Sequence, residues 1–141
     1  MKNLTIENQI SETKEEEIII FFKEKDIKVP DNYIGLISKY GGARINENYY
    51  KDKYCIQNIL PLYSKRNASI EKIIETYLEE ENTENWLPFA IDPGGWVFVI
   101  SLYKDTYGQI FIDRFDSGEE NPFVFVTDSL DEFINGLHPA E

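Results

Sequence analysis

Residues 87–102 read LPFAIDPGGWVFVISL, and the stretch places one acid beside two glycines between apolar runs. Asp92-Pro93-Gly94-Gly95 suits a tight reversal in which the glycines supply positive φ and Asp92 bonds its own backbone. The same residues are a weak phosphate signal, because the Gly-rich fingerprint, the lysine and the following helix are all missing. Gly94 and Gly95 therefore read as turn residues. Asp92 and Trp96 stay open between structure and recognition: a tryptophan at a strand entry fits a core, and tryptophan is also favoured at binding hot spots.

The other residues with chemical potential do not assemble. His138 stands near the C-terminus with no evident partner to hold it, and a catalytic or metal-binding histidine needs one. Cys55, between Tyr54 and Ile56, reads as a small core residue rather than a nucleophile. Asp113-Arg114-Phe115-Asp116 offers two carboxylates, but residues three apart on a strand point to opposite faces and do not converge on a metal. Asp128, Asp131 and Glu132 fit helix capping better than a calcium loop, whose ligand pattern is much denser. The expectation is a protein without catalysis, metal or cofactor.

Charge is more informative. The 141 residues carry a formal net charge of −12. Residues 1–54 hold nine Lys or Arg against ten Asp or Glu, a net of −1, whereas residues 55–141 hold five against sixteen, a net of −11. Nucleic acid and anionic membrane are poor partners for such a surface. The acids serve either solubility or a basic protein partner. The lone cysteine excludes an internal disulfide and fits a reducing compartment. The N-terminus MKNLTIENQISETKEEE lacks the apolar core of a signal peptide, and the location expected is cytoplasmic. Length and apolar content fit one domain that buries roughly 70% of its unfolded surface.

The elements that would position these residues are legible in part. Thr13-Lys14-Glu15-Glu16 has capping-box spacing, which predicts a helix from about Lys14 to Lys25. Pro30 suits the start of a second helix, with Tyr33, Leu36, Ile37 and Tyr40 on one face and Gly41-Gly42 ending it. Gly35 inside it suggests a close packing contact. Residues 43–63 yield only short extended pieces, at Tyr54-Cys55-Ile56 and Ile59-Leu60. Ile70, Ile73, Ile74, Tyr77 and Leu78 form the stripe of a third helix, capped by Asn67 or Ser69. Strands follow at about 87–91, 96–103, 109–115 and 123–126, joined by loops too short for parallel crossovers. Trp96 to Ile100 is apolar at every position, as a central strand covered on both faces would be. Ser129-Leu130-Asp131-Glu132 is a second capping box, opening a last helix with Leu130, Phe133, Ile134 and Leu137 inward. The fold class expected is α+β, a single domain with a mainly antiparallel sheet and helices packed against it.

Four of these segments, in this order, resemble the SUKH superfamily. VPDNYIGLISKYGG resembles its Pro, Tyr, apolar helix, Gly-Gly opening. LPFAIDPGGWVFVISL resembles its strand ending in Ala-x-Asp, glycine turn and apolar strand. GQIFIDRF and FVFVTDSLDEFINGL resemble the remainder, and the likeness spans about residues 14–137. Tyr40 before the glycines departs from the Asn found in many members, and the run Glu79 to Glu81 looks particular to this chain.

The resemblance implies a binding module. Bacterial members of the superfamily are typically immunity proteins that neutralise polymorphic toxins, often nucleases, and fungal relatives regulate cell-wall assembly and signalling. The expectation is an immunity protein whose partner is a cognate toxin domain with a basic surface, with a non-enzymatic signalling or assembly scaffold as the alternative. The candidate partner-binding residues are Glu79, Glu80, Glu81, Glu84, Trp86, Asp92, Trp96, Asp116, Glu119 and Glu120: two acidic clusters, with tryptophans nearby as anchors.

Overall fold

The computed structural model describes residues 1–65, 67–80 and 83–140. In chain order, the described elements are β1 (Ile6–Gln9), α1 (Glu15–Glu24), α2 (Asp31–Tyr40), β2 (Ala43–Ile45), β3 (Tyr49–Tyr50), β4 (Tyr54–Cys55), β5 (Asn58–Ile59), α3 (Ile70–Glu79), β6 (Trp86–Ile91), β7 (Val97–Ser101), β8 (Ile110–Asp113), β9 (Phe123–Thr127), α4 (Leu130–Asn135) and β10 (Leu137–His138). The central sheet runs β5-β6-β7-β8-β9, beside a β1-β2 pair and a small β10-β3-β4 sheet. Every pairing is antiparallel. This is the α+β architecture expected from the sequence.

Strand β7 is the middle strand, and all five of its residues are buried. Its unbroken apolar pattern follows from being covered on both faces. Helix α4 covers one face through Phe133, whose ring meets those of Phe89 and Phe98 at 5.6 and 5.3 Å. Strand β6 tolerates Pro88 because the β6–β7 register breaks between Pro88 and Ala90, the kind of site where a residue without an N–H does least harm. The Pro88 carbonyl accepts instead from the hydroxyl of the wholly buried Tyr33 at 2.9 Å, which ties α2 to the sheet.

Several local expectations gave way to tertiary contacts. Thr13 does not cap α1: Lys14 occupies the cap position without a side-chain bond, and the buried Thr13 hydroxyl accepts from the Leu62 N–H at 3.3 Å. Ser69 precedes α3 but donates to Glu71 rather than capping the helix. Ser129 does cap α4, accepting from the Glu132 N–H at 3.1 Å. Gly35 is exposed and a Cβ there meets nothing within 4 Å, so it marks no close contact. At the end of α2 it is Gly42, not Gly41, that takes positive φ (81°), and a Cβ on Gly42 would lie 2.9 Å from the Ser11 carbonyl oxygen. Leu78 is 46% exposed rather than part of the inner stripe of α3. Leu137, expected on the inner face of the last helix, lies instead in β10, because α4 ends at Asn135 and Leu137 pairs with Tyr50; strands β1, β2 and β3 had no expectation behind them.

Candidate functional site

The β6–β7 turn is built by Asp92. Its Oδ1 accepts from the N–H groups of Gly94 and Trp96 at 2.9 and 2.8 Å, and its carbonyl accepts from Gly95 at 3.0 Å. Of the two glycines only Gly95 takes positive φ, at 92°. One carboxylate thus holds the whole reversal and fixes the exit direction of Trp96.

Trp96 is half-buried and faces the end of β8, because Val97 pairs with Asp113. Its indole N–H donates to Asp116 Oδ1, and the Arg114 guanidinium lies 4.8 Å from its ring centroid. Arg114 also pairs with Glu119 at 3.3 Å. Asp92, Trp96, Asp116 and Glu119 are therefore brought together, with Arg114 as the link that the sequence reading had not singled out. Beside them lies a cleft of about 210 Å³ lined by Lys53, Tyr54, Cys55, Asp92, Trp96 and Arg114. Cys55 is only partly buried there, so it is less of a core residue than expected. Glu120 is exposed on the same loop.

Trp86 is placed differently from an exposed anchor. It is 9% exposed, stacked on Phe123 at 4.3 Å and 5°, with Phe111 and Tyr103 at its edges. Its aromatic surface is spent on intramolecular packing, so it offers a partner little contact.

The other acidic group sits at the end of α3. Glu79 is its last residue and Glu80 its C-cap, with no basic residue in the last turn. Carboxylates at the negative end of a helix oppose its dipole, so helix stability does not account for them. Glu84 is exposed just before β6. Glu81 lies outside the described residues.

This end of α3 is fastened to β8 by a pair that sequence reasoning had not joined. The Tyr77 hydroxyl donates to Asp113 Oδ2 at 2.7 Å, although the two residues lie 36 positions apart. Burial pushes the Asp113 carboxyl above the ordinary aspartate range; the Tyr77 bond opposes that shift and the Glu80 charge adds to it. Burial, then the Asp113 charge, push the Tyr77 phenol well up. The end of β8 separates the two carboxylates that strand alternation was expected to part: Asp113, its last residue, is buried toward α3, while Asp116, in the turn past the strand, is exposed at Trp96. No group of three or more His, Cys, Asp or Glu side chains suited to a metal ion occurs among the described residues. His138, on the β10-β3-β4 sheet, stacks on Tyr49 and lies 3.2 Å from Asp52.

The geometry is thus two acidic groups: Glu79 and Glu80 end α3, with Glu80 beside Asp113 at the end of β8, and Asp116, Glu119 and Glu120 lie on the loop beyond that strand; Glu84 lies apart, before β6 and near Tyr103. No described helix is long and apolar enough to cross a membrane. No curated protein and no solved structure matches the chain. The SMI1 / KNR4 family (SUKH-1) model matches residues 12–136. With nearly its whole length matched, the chain belongs to the SMI1 / KNR4 family (SUKH-1), a domain family that includes immunity proteins.

Proposed function

We propose that this chain is an immunity protein that binds a polymorphic toxin and blocks it, the toxin domain being of a basic, nuclease type. The observation that carries the reading is the charge split, −1 in residues 1–54 against −11 in residues 55–141. Proteins that bind phosphate backbones need cationic surfaces, and an acidic inhibitor is complementary to them and steers their approach. Family membership supports a binding role. So do the acids at the wrong end of α3, which oppose the helix dipole. In this reading the protein performs no catalysis, Trp96 is the aromatic anchor, and Asp92 positions it.

The test is stopped-flow association with a basic nuclease-type toxin domain offered as the cognate partner, at low and at physiological ionic strength. Steered association slows as the screening length falls to about 8 Å. Glu79→Lys with Glu80→Lys, and separately Glu119→Lys with Glu120→Lys, slow capture while leaving the melting temperature nearly unchanged. An on-rate indifferent to salt and to both reversals would leave the acidity as a solubility feature, and no association at either ionic strength would remove the toxin reading.

A further inference from the structure

We propose that the cleft between α3 and the end of β8 is a socket for an arginine side chain of the protein partner. The cleft measures about 370 Å³ and is walled by Ile73, Tyr77, Val97 and Phe115, with Asp113 and Glu80 also lining it. Asp113 is 4% exposed. One carboxylate oxygen is held by the Tyr77 hydroxyl, and the other is buried without a hydrogen-bond partner among the described residues. Buried polar atoms are satisfied in the large majority of cases, and each exception calls for a reason. A cation entering the cleft supplies one.

The chemistry selects arginine. Its stem matches apolar walls, and its planar, weakly hydrated guanidinium stacks on aromatic rings such as those of Tyr77 and Phe115. Phe115 is 59% exposed, so its ring can swing aside to admit the head group. Glu80 is exposed beside the opening, and its charge already reaches Asp113. The chain's own Lys72 also lines the cleft, but its ammonium is turned to the carbonyls of Ser64 and Asn67. A metal ion fits poorly, because the described residues of the cleft hold no group of three ligands. An anion would meet two carboxylates.

The inference deepens the proposed function and rests on it for the nature of the partner, though not for the chemistry of the cleft. The test therefore uses a small probe. Titrating n-butylguanidinium into ¹⁵N-labelled protein is expected to give saturable amide shifts confined to Ile73, Tyr77, Val97, Asp113 and Phe115, with n-butanol giving none. Asp113→Asn keeps an acceptor for Tyr77 and is expected to weaken the probe about tenfold or more, as loss of a charged hydrogen-bond acceptor does. Glu80→Gln, exposed and harmless to packing, is expected to weaken it by a smaller factor. Shifts that do not saturate, equal shifts with butanol, or unchanged binding to Asp113→Asn would each overturn the socket. The titration needs no partner, so its failure removes the socket alone. No capture of a toxin domain with probe binding intact removes the toxin reading alone.

Discussion

The sharpest prediction concerns Tyr77→Phe. The substitution deletes one oxygen and leaves the ring, which is 5% exposed, in place. What disappears is the 2.7 Å bond that, among the described residues, is the single side-chain hydrogen bond to the buried Asp113 carboxylate. Hydrogen bonds to charged groups contribute about 1.5–3 kcal/mol, and the stranded carboxylate adds to the loss. We expect a destabilisation of about 2–4 kcal/mol at pH 7, measured as a shift of the urea midpoint at constant slope. The pH dependence separates this account from simple loss of packing. The Tyr77 bond holds the Asp113 pKa down against burial, so removing it raises that pKa further. Protonating Asp113 then relieves the variant, and the destabilisation shrinks as the pH falls through the folded pKa of the group. In the unaltered protein Asp113 already works against the usual acid trend. Its raised pKa contributes stability that is full below the ordinary aspartate value and is lost as the pH rises through the folded pKa. A variant within about 0.5 kcal/mol of the parent, the range of an ordinary surface change, or one with a pH-independent cost, would refute the buried-pair reasoning.

Two further outcomes follow from the fold. Val99→Asp puts an unpaired charge at a wholly buried position of the central strand and is expected to cost roughly 3–5 kcal/mol; a variant that melts with the parent would contradict the placement of β7. Gly35→Ala, in a helix where a new Cβ meets nothing within 4 Å, is expected to add about 0.4–1 kcal/mol in chemical denaturation, and a loss of stability would mean that α2 packs more tightly there than described.

The four helices and the five-stranded sheet were largely legible because their signals are local. Leu36, Ile37 and Tyr40 fall on one side of a helix by rotation alone, and the apolar run of β7 reports burial on both faces without reference to its neighbours. The Ser129 cap was legible for the same reason, since donor and acceptor lie three residues apart. Asp92 was legible as a turn residue that bonds its own backbone.

Tertiary structure decided the rest. Strands β3 and β10 have two residues each and exist through their partners, so they leave no periodicity to read. The Thr13 capping box was outcompeted by Leu62, 49 residues away. Trp86 and Trp96 look alike in sequence, yet one stacks in an aromatic cluster and the other stands at a rim beside Arg114. Whether a carboxylate is solvated or buried depends on what the strand register sets opposite it. The sequence by itself determined that the C-terminal half is acidic; the pairing of β7 with β8 and the docking of α3 determined that Asp113 is held in a cleft with one oxygen unmatched among the described residues.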